Sequence, residues 1–320
     1  MKAEVITALD IGTHSIKMAM VRKNEAGDNL EILGFVEEPS SGVRKGAVVH
    51  PEEVTKTILN LKNKLETMGG YKIQEIVVSV GGSHIFVLPS RGVVAISRAD
   101  GEVSQEDVDR VLQAAHAVSL PSNKEILEIF PQQFMVDGTG EIREPVGMRG
   151  VRLEVDVLAV CAFTPYMKNL TDAVLSAGLE ISDLIPSSLA SVEAVLTPQQ
   201  KEQGVAVIDM GAGTTGITVY EEGDLLHTTI LPVGSDNITH DIAIGLRTEP
   251  ETAEQIKLQH GELSGKGRKA QKIQLADGSE VSFTPKFLSH IIESRLKQIL
   301  DSINKELKAM GMQGRLPAGI

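Results

Sequence analysis

Two stretches of this chain combine an aspartate, glycines and hydroxyl side chains as a phosphate-binding turn requires. In residues 8–17, ALDIGTHSIK, Asp10 ends an apolar run, Gly12 permits close backbone approach, and Thr13 and Ser15 offer hydroxyls and amides to phosphate oxygens. Lys17 adds a cation. In residues 205–220, VAVIDMGAGTTGITVY, the same chemistry returns through Asp209, Gly211, Gly213, Thr214 and Thr215. Two such turns, one from each half of a molecule, can grip a triphosphate from both sides. Asp10 and Asp209 can then hold Mg2+ through its water shell, which that ion gives up reluctantly. Either stretch alone reads equally well as a hairpin turn beside a strand. Their recurrence far apart, in the same strand context, favours a joint role.

Positioning these turns takes strands. EVITALDIG, KMAMVRK and NLEILGFVEE are alternating and rich in Val and Ile, and read as a meander. Residues 51–68 place Val54, Ile58, Leu61 and Leu65 at helical spacing, and IQEIVVSVGG follows as a buried strand. Residues 83–163 read as a separate α+β module, with strands in HIFVLPSRGVVAIS, EILEIFPQQFMVD and RLEVDVLAVCAF. Its helix, 104–118, starts at Ser104 with Glu106 and Asp107 in the first turn. A helix over 166–179 ending at Gly178, a strand around 183–185 and a helix over 187–196 come next. Ser187 sits in PSSLAS, which lacks a Gly-x-Ser-x-Gly elbow, so it is read as a helix N-cap. The second strand set, GVAVIDMG, GITVYEEG and LLHTTILPVG, begins by repeating the ALDIG pattern, an internal duplication. Helices over 237–246, 250–260 and 285–310 close the chain, the last with Phe287, Ile291, Leu296, Ile299, Ile303 and Leu307 on one face. Between the last two, GKGRKAQKIQLADGSEVS reads as a basic loop and hairpin. Residues 317–320 read as the start of a further strand, which predicts a fragment with an incomplete second half.

A chain of 320 residues divides into two or three domains. Aromatics are only 3% and Trp is absent, so the core must be built from Val, Ile, Leu and Ala, and surfaces for stacking bases are scarce. The net charge of -12 repels phosphate backbones and excludes nucleic acid as a partner. The single cysteine, Cys161 in VLAVCAF, rules out a disulfide framework and a Cys-based zinc site, and is expected to be reduced and buried. The histidines offer no HExxH or similar metal-ligand spacing. The first residues lack a secretory pattern, and no apolar run approaches ~20 residues, so a cytoplasmic protein is expected.

Paired DxGT-type turns resemble those of the superfamily of actin, heat-shock chaperones and sugar kinases. Beyond the turns, this chain resembles the FtsA family of bacterial cell-division proteins in EIVVSVGGSHI, IFPQQFMVDGTGEIREPVGMRGVRLE, GVAVIDMGAGTT, LPVGSDNITHDIAIGLRT and AEQIKLQHG, which span nearly its whole length. The resemblance implies an α/β, actin-like (ribonuclease H-like) fold of duplicated domains, with an inserted α+β subdomain and an incomplete second half. Residues 1–82 and 164–186 would form the first actin-like subdomain and 83–163 the inserted one. Residues 187–227 and 311–320 would form the second, with 228–310 a helical subdomain on the nucleoside side. The resemblance further implies ATP and Mg2+ as cofactors, with Gly234, Glu254 and Lys257 at the nucleoside. Without it, Glu254 and Lys257 read as an ordinary helix-surface pair. It also implies self-assembly into filaments, a link to the tubulin-like protein FtsZ, and a place on the cytoplasmic side of the cell membrane at the division site. The membrane contact would be made through a C-terminal amphipathic helix that this chain lacks.

Three positions depart from the family pattern. Gly216 stands where Asp is common, Ser235 replaces the second glycine of a usual pair, and Glu128 takes a place often held by His. These bear on nucleotide affinity and turnover rather than on fold. No side chain stands out as orienting an attacking water, so slow or absent hydrolysis is expected, with ATP acting as a binding switch. Two other readings remain. A sugar-kinase-type phosphotransferase would need a base beside a sugar pocket and would pass phosphate to a hexose or acetate. A relative of the pilus assembly protein PilM would bind pilus-assembly peptides rather than FtsZ, and the PVGMRG segment argues against it.

Overall fold

The computed structural model describes residues 4–23, 30–117, 120–264, 269–274 and 280–320. The chain forms two compact units: Met1–Asp209, Gly216–Ile230 and Leu316–Ile320 make the first, and Met210–Thr215 with Leu231–Arg315 the second.

The first unit opens with the expected meander, β1 (Val5–Ile11), β2 (Ser15–Lys23) and β3 (Leu30–Pro39), paired antiparallel. A short hairpin, β4 (Val43–Arg44) and β5 (Ala47–Val48), precedes α1 (Pro51–Gly69) and β6 (Glu75–Val80). The inserted module runs through β7 (Ile85–Ala95), α2 (Gln105–His116), β8 (Lys124–Val136), β9 (Thr139–Ile142) and β10 (Arg152–Phe163). Then come α3 (Thr164–Ser176), β11 (Glu180–Pro186), α4 (Ser187–Val195) and α5 (Pro198–Gln203). The strands β12 (Val205–Met210), β13 (Thr215–Glu221) and β14 (Asp224–Leu231) form a sheet in sequence order.

The main sheet has the order β11-β6-β1-β2-β3, with β6 and β11 added in parallel beside β1. Strand alternation sorts its side chains. Leu9, Ile11, Ile16, Met18, Met20, Val78 and Val80 are buried in one core with Val54, Ile58, Leu61 and Leu65 of α1 and Met167, Leu170 and Val174 of α3. Each fully buried aliphatic side chain there contributes about 1.5–3 kcal/mol. The opposite face, with Ala8, Asp10, Lys17, Ala19, Val77 and Ser79, stays more open. Among the described residues β3 is the outer strand, and its Leu30, Ile32 and Phe35 are exposed.

The insert has its own sheet, β7-β10-β8-β9, and its own core of Val103, Val108, Val111, Ala115, Phe134, Val136, Leu153, Val155 and Val157. Helix α2 lies directly on β7: a Cβ at Gly92 would stand 2.1 Å from the Val111 carbonyl oxygen. The Ser104 start signal becomes a full capping box with Asp107. Asp107 is completely buried and accepts from the amides of Ser104 and Ser97, each at 3.0 Å, and from Arg110. Burial alone would raise its carboxyl, but these donors outweigh it and hold the group well below the ordinary carboxylate range. Cys161 is free and buried as expected, and burial pushes its thiol up.

The second unit holds α6 (Asp236–Leu246), α7 (Pro250–His260), the hairpin β15 (Gln271–Gln274) with β16 (Glu280–Phe283), and α8 (Pro285–Ala309). Ile238, Ile242, Ala253, Ile256, Phe283, Leu288 and Ile292 form its core, and Arg295 clamps α8 to α6 through two bonds to Asp241 at 2.6 and 2.8 Å.

Several expectations need correction. The buried stripe of α8 runs through Leu288, Ile292, Ile299, Ile303 and Leu307, while Phe287 is 44% exposed. The helical period is better met starting one residue later, and Ile291 and Leu296 only flank the core. Ser187 is the first helical residue of α4, because Pro186 takes the cap position. Residues 317–320 form no strand, although Ala318 and Gly319 exchange backbone bonds with Gly204 and Ala206 of the β12 segment. The end expected for α2 at Val118, and residues 265–268 and 275–279 of the basic loop, lie outside the described residues. No helix among the described residues is long and apolar enough to cross a membrane.

Candidate functional site

The two glycine turns have the same internal geometry. The Gly12 amide donates to the Ser15 carbonyl at 3.1 Å, and the Gly211 amide donates to the Thr214 carbonyl at 2.9 Å. Each glycine lies two residues past an aspartate at a strand end. At Gly12 a side chain is excluded, since its Cβ would meet the Ser15 oxygen at 2.8 Å.

In the first unit, Asp10 lies on the open face of the main sheet. Ser79, its register partner on β6, donates to one carboxylate oxygen, and Lys17 across β2 stands 3.6 Å from the other. A cavity of about 290 Å3 opens here, lined by Ala8, Asp10, Lys17, Ala19, Ser79 and Ala190. Asp209 ends the part of β12 that belongs to this unit, and Ser191 donates to it at 3.1 Å. Helix α4 carries adjacent residues to both places: Ala190 lines the cavity that Asp10 also lines, and Ser191 bonds Asp209. Thr13 is engaged through its hydroxyl oxygen, which accepts from the Gly46 amide at 2.8 Å. Ser15 is nearly buried, which leaves Gly12, Thr13 and His14 as the reachable part of the turn.

In the second unit, Gly211, Thr214, Thr215, Gly234, Glu254 and Lys257 each take part in hydrogen bonds around the turn, with Gly213 between Ala212 and Thr214. The amides of Ser235 and Asp236 donate to the carbonyls of Gly211 and Ala212, both at 2.9 Å. A Cβ at Gly234 would stand 2.3 Å from the Ala212 oxygen, so only glycine allows this approach. Thr215 is fully buried and its hydroxyl donates to the Val233 carbonyl at 2.8 Å, which commits that hydroxyl to holding the turn. Lys257 pairs with Glu254 at 2.7 Å, donates to Thr239 at 2.8 Å, and reaches the Ser235 carbonyl at 3.4 Å; Thr239 in turn donates to Glu254. The pair thus ties α7 to the start of α6 and is more than a helix-surface contact.

Of the departures, Gly216 faces Asp209, and a Cβ there would lie 3.8 Å from the Asp209 Cβ. Ser235 makes no side-chain cap on α6. Burial, followed by the charge of Asp183, raises the Glu128 carboxyl. Ser79, Ser191, Thr239 and Gly46 also bond to the site residues, although no motif marks them. Ser79 carried a visible signal, a lone hydroxyl in the apolar strand EIVVSV; the others depend on contacts between distant segments.

Known proteins match along the whole chain. A family model described as "SHS2 domain inserted in FTSA" covers residues 82–161, and one described as "Cell division protein FtsA" covers residues 206–315. The cell division protein FtsA of Pseudomonas aeruginosa is 36% identical over 99% of this chain and 76% of its own length. Among solved structures, the PilM-PilN type IV pilus biogenesis complex matches with a TM-score of 0.65 at 16% identity, over 96% of this chain and 78% of that one. MreB5 of Spiroplasma citri bound to ADP matches with a TM-score of 0.52 at 13% identity, over 95% of this chain and 79% of that one. At such identities these two establish the actin-like fold and no more.

Proposed function

The chain belongs to the FtsA family of cell-division proteins, and from that premise we propose that it binds Mg2+-ATP on its two glycine turns. The same reading has it assemble with further copies of itself and link FtsZ to the cytoplasmic face of the membrane at the division site. The observation that carries the nucleotide reading is the repeated turn, closed by the same amide-to-carbonyl bond after Asp10 and after Asp209. Adjacent residues of α4, Ala190 at the cavity that Asp10 lines and Ser191 bonded to Asp209, support it further.

In this reading Gly12, Thr13 and Lys17 serve one side of the phosphates, with buried Ser15 closing that turn through its carbonyl, and Gly211, Gly213, Thr214 and Thr215 serve the other. Gly234, Glu254 and Lys257 bound the nucleoside. Asp10 and Asp209 hold the ion through water, and a bound Mg2+ neutralises phosphate charge. Ser79 and Ser191 orient the two carboxylates by donating to them. Because the Thr215 hydroxyl is committed to Val233, that residue contributes its amide and the stiffness of the turn. No described side chain is assigned to orienting water, so turnover is slow or absent and ATP acts by shifting a conformational equilibrium.

Calorimetry with ATP, with and without Mg2+, tests this. The wild-type chain should bind only with the ion, and Asp10→Asn and Asp209→Asn should each weaken binding by ~10-fold or more. No binding by the wild type, or full binding by both variants, refutes the assignment. Co-sedimentation with FtsZ, with phosphate transfer to hexose or acetate measured in parallel, separates the division role from the kinase alternative.

A further inference from the structure

A second concavity of the first unit, about 450 Å3, is lined by a different set of residues that includes Arg44, Lys45, Ser83, His84, Phe163 and Tyr166. Its construction is specific. Arg44 and Lys45 sit at the tip of the β4–β5 hairpin, where Lys45 and Gly46 take φ of +50° and +73°. A Cβ on Gly46 would stand 2.6 Å from the Gly82 Cα, so the tip lies bare against the Gly81–Gly82 backbone. The two cations are thereby held over the residues that lead into β7.

Neither cation has an ion-pair partner among the described residues, and no carboxylate lines the concavity, in a chain with 43 acidic residues. His84 is 6% exposed, its ring 5.0 Å from that of Tyr166, and its Nδ1 has no hydrogen-bond partner. Burial lowers its pKa to about 4, so the ring is neutral near pH 7. A neutral imidazole keeps one N–H to donate and one ring nitrogen to accept.

We propose that this concavity binds a phosphate-class oxyanion. Two cations on the hairpin tip match the charge of a phosphate dianion, and the hydroxyls of Ser83 and Tyr166 with the imidazole N–H supply donors for further oxygens. A carboxylate, with one charge and two oxygens, would leave donors unused. This assignment stands apart from the ATP reading, because none of these residues belongs to the glycine turns. The hairpin does touch the first turn, through the bond from Gly46 to Thr13.

The test is calorimetric titration of inorganic phosphate into the chain in Mg2+-free buffer. Acetate and glycerol 3-phosphate serve as further probes, and the His84 imidazole signals are followed by NMR. The variant Arg44→Ala/Lys45→Asn changes two exposed side chains and keeps a residue that tolerates left-handed backbone at 45. Phosphate should shift the His84 signals in the wild type, and the variant should bind ~10-fold or more weakly. Lys17→Ala should leave the phosphate-induced shift of the His84 signals unchanged, whatever it does to Mg2+-ATP. Glycerol 3-phosphate binding marks a site open to esterified phosphate, and its failure marks a site for free phosphate; both fit the class. Three results would overturn the proposal: no wild-type binding, acetate binding as tightly as phosphate, or a loss on Lys17→Ala with none on Arg44→Ala/Lys45→Asn.

Discussion

Replacing Gly234 by alanine should loosen the second glycine turn without disturbing the insert. The added Cβ would stand 2.3 Å from the Ala212 oxygen and 2.5 Å from the Gly211 oxygen, where ordinary contact begins at 3.4 Å. The two segments must separate by about 1 Å, and the flanking bonds run to those same oxygens. The amides of Ser235 and Asp236 reach them at 2.9 Å, so separation takes both bonds out of range. At about 0.5–1.5 kcal/mol per bond, the loss is about 1–3 kcal/mol. Hydrogen exchange read by mass spectrometry on peptides spanning 230–240 should speed up by roughly 5- to 150-fold, while peptides from the insert stay unchanged. If Gly234 serves nucleotide as proposed, Mg2+-ATP affinity falls in the same variant. Exchange at 235 and 236 within about twofold of wild type would refute the close-approach argument, whatever happens to ATP.

Two further outcomes concern the insert. Asp107→Asn removes the charge that Arg110 and two backbone amides surround, and should cost about 3 kcal/mol in urea unfolding of the insert. Because the Asp107 carboxyl is depressed in the folded chain, its contribution is complete above its unfolded value and fades as pH falls below about 4, so the wild type should lose stability there and Asp107→Asn should lose less. Gly92→Ala places a methyl 2.1 Å from the Val111 oxygen, and should lower the melting temperature of the insert more than Gly140→Ala, whose Cβ meets only the flexible Met135 side chain at 3.3 Å.

Strand alternation and helix caps were legible because they are local. The meander 5–39 and the Ser104 cap follow from spacing within one segment, and the glycine turns paired because one local pattern recurs after Asp10 and after Asp209. Helix α5 was legible in principle, since Thr197 and Gln200 form a capping box around Pro198, but six residues are too short to show periodicity. The stripe of α8 was displaced because Phe287 and Leu288 are both apolar, and only the packing against α6 chooses Leu288. At the candidate site, glycines and aspartates announced themselves by type. Ser191, Thr239 and Gly46 did not, since each matters only through a partner at least fifteen residues away.

The outer strand β3 bears on how the chain behaves in a tube. Leu30, Ile32 and Phe35 are 61%, 73% and 51% exposed along a strand with a bonded neighbour on one side only among the described residues. Such a border invites a stranger's backbone to pair with it, and Glu37, Glu38 and Pro39 at its far end act as gatekeepers over only part of its length. Clouding of a concentrated sample therefore reports clumping at this border as readily as ordered polymer, and only the portion that answers to nucleotide counts as the latter.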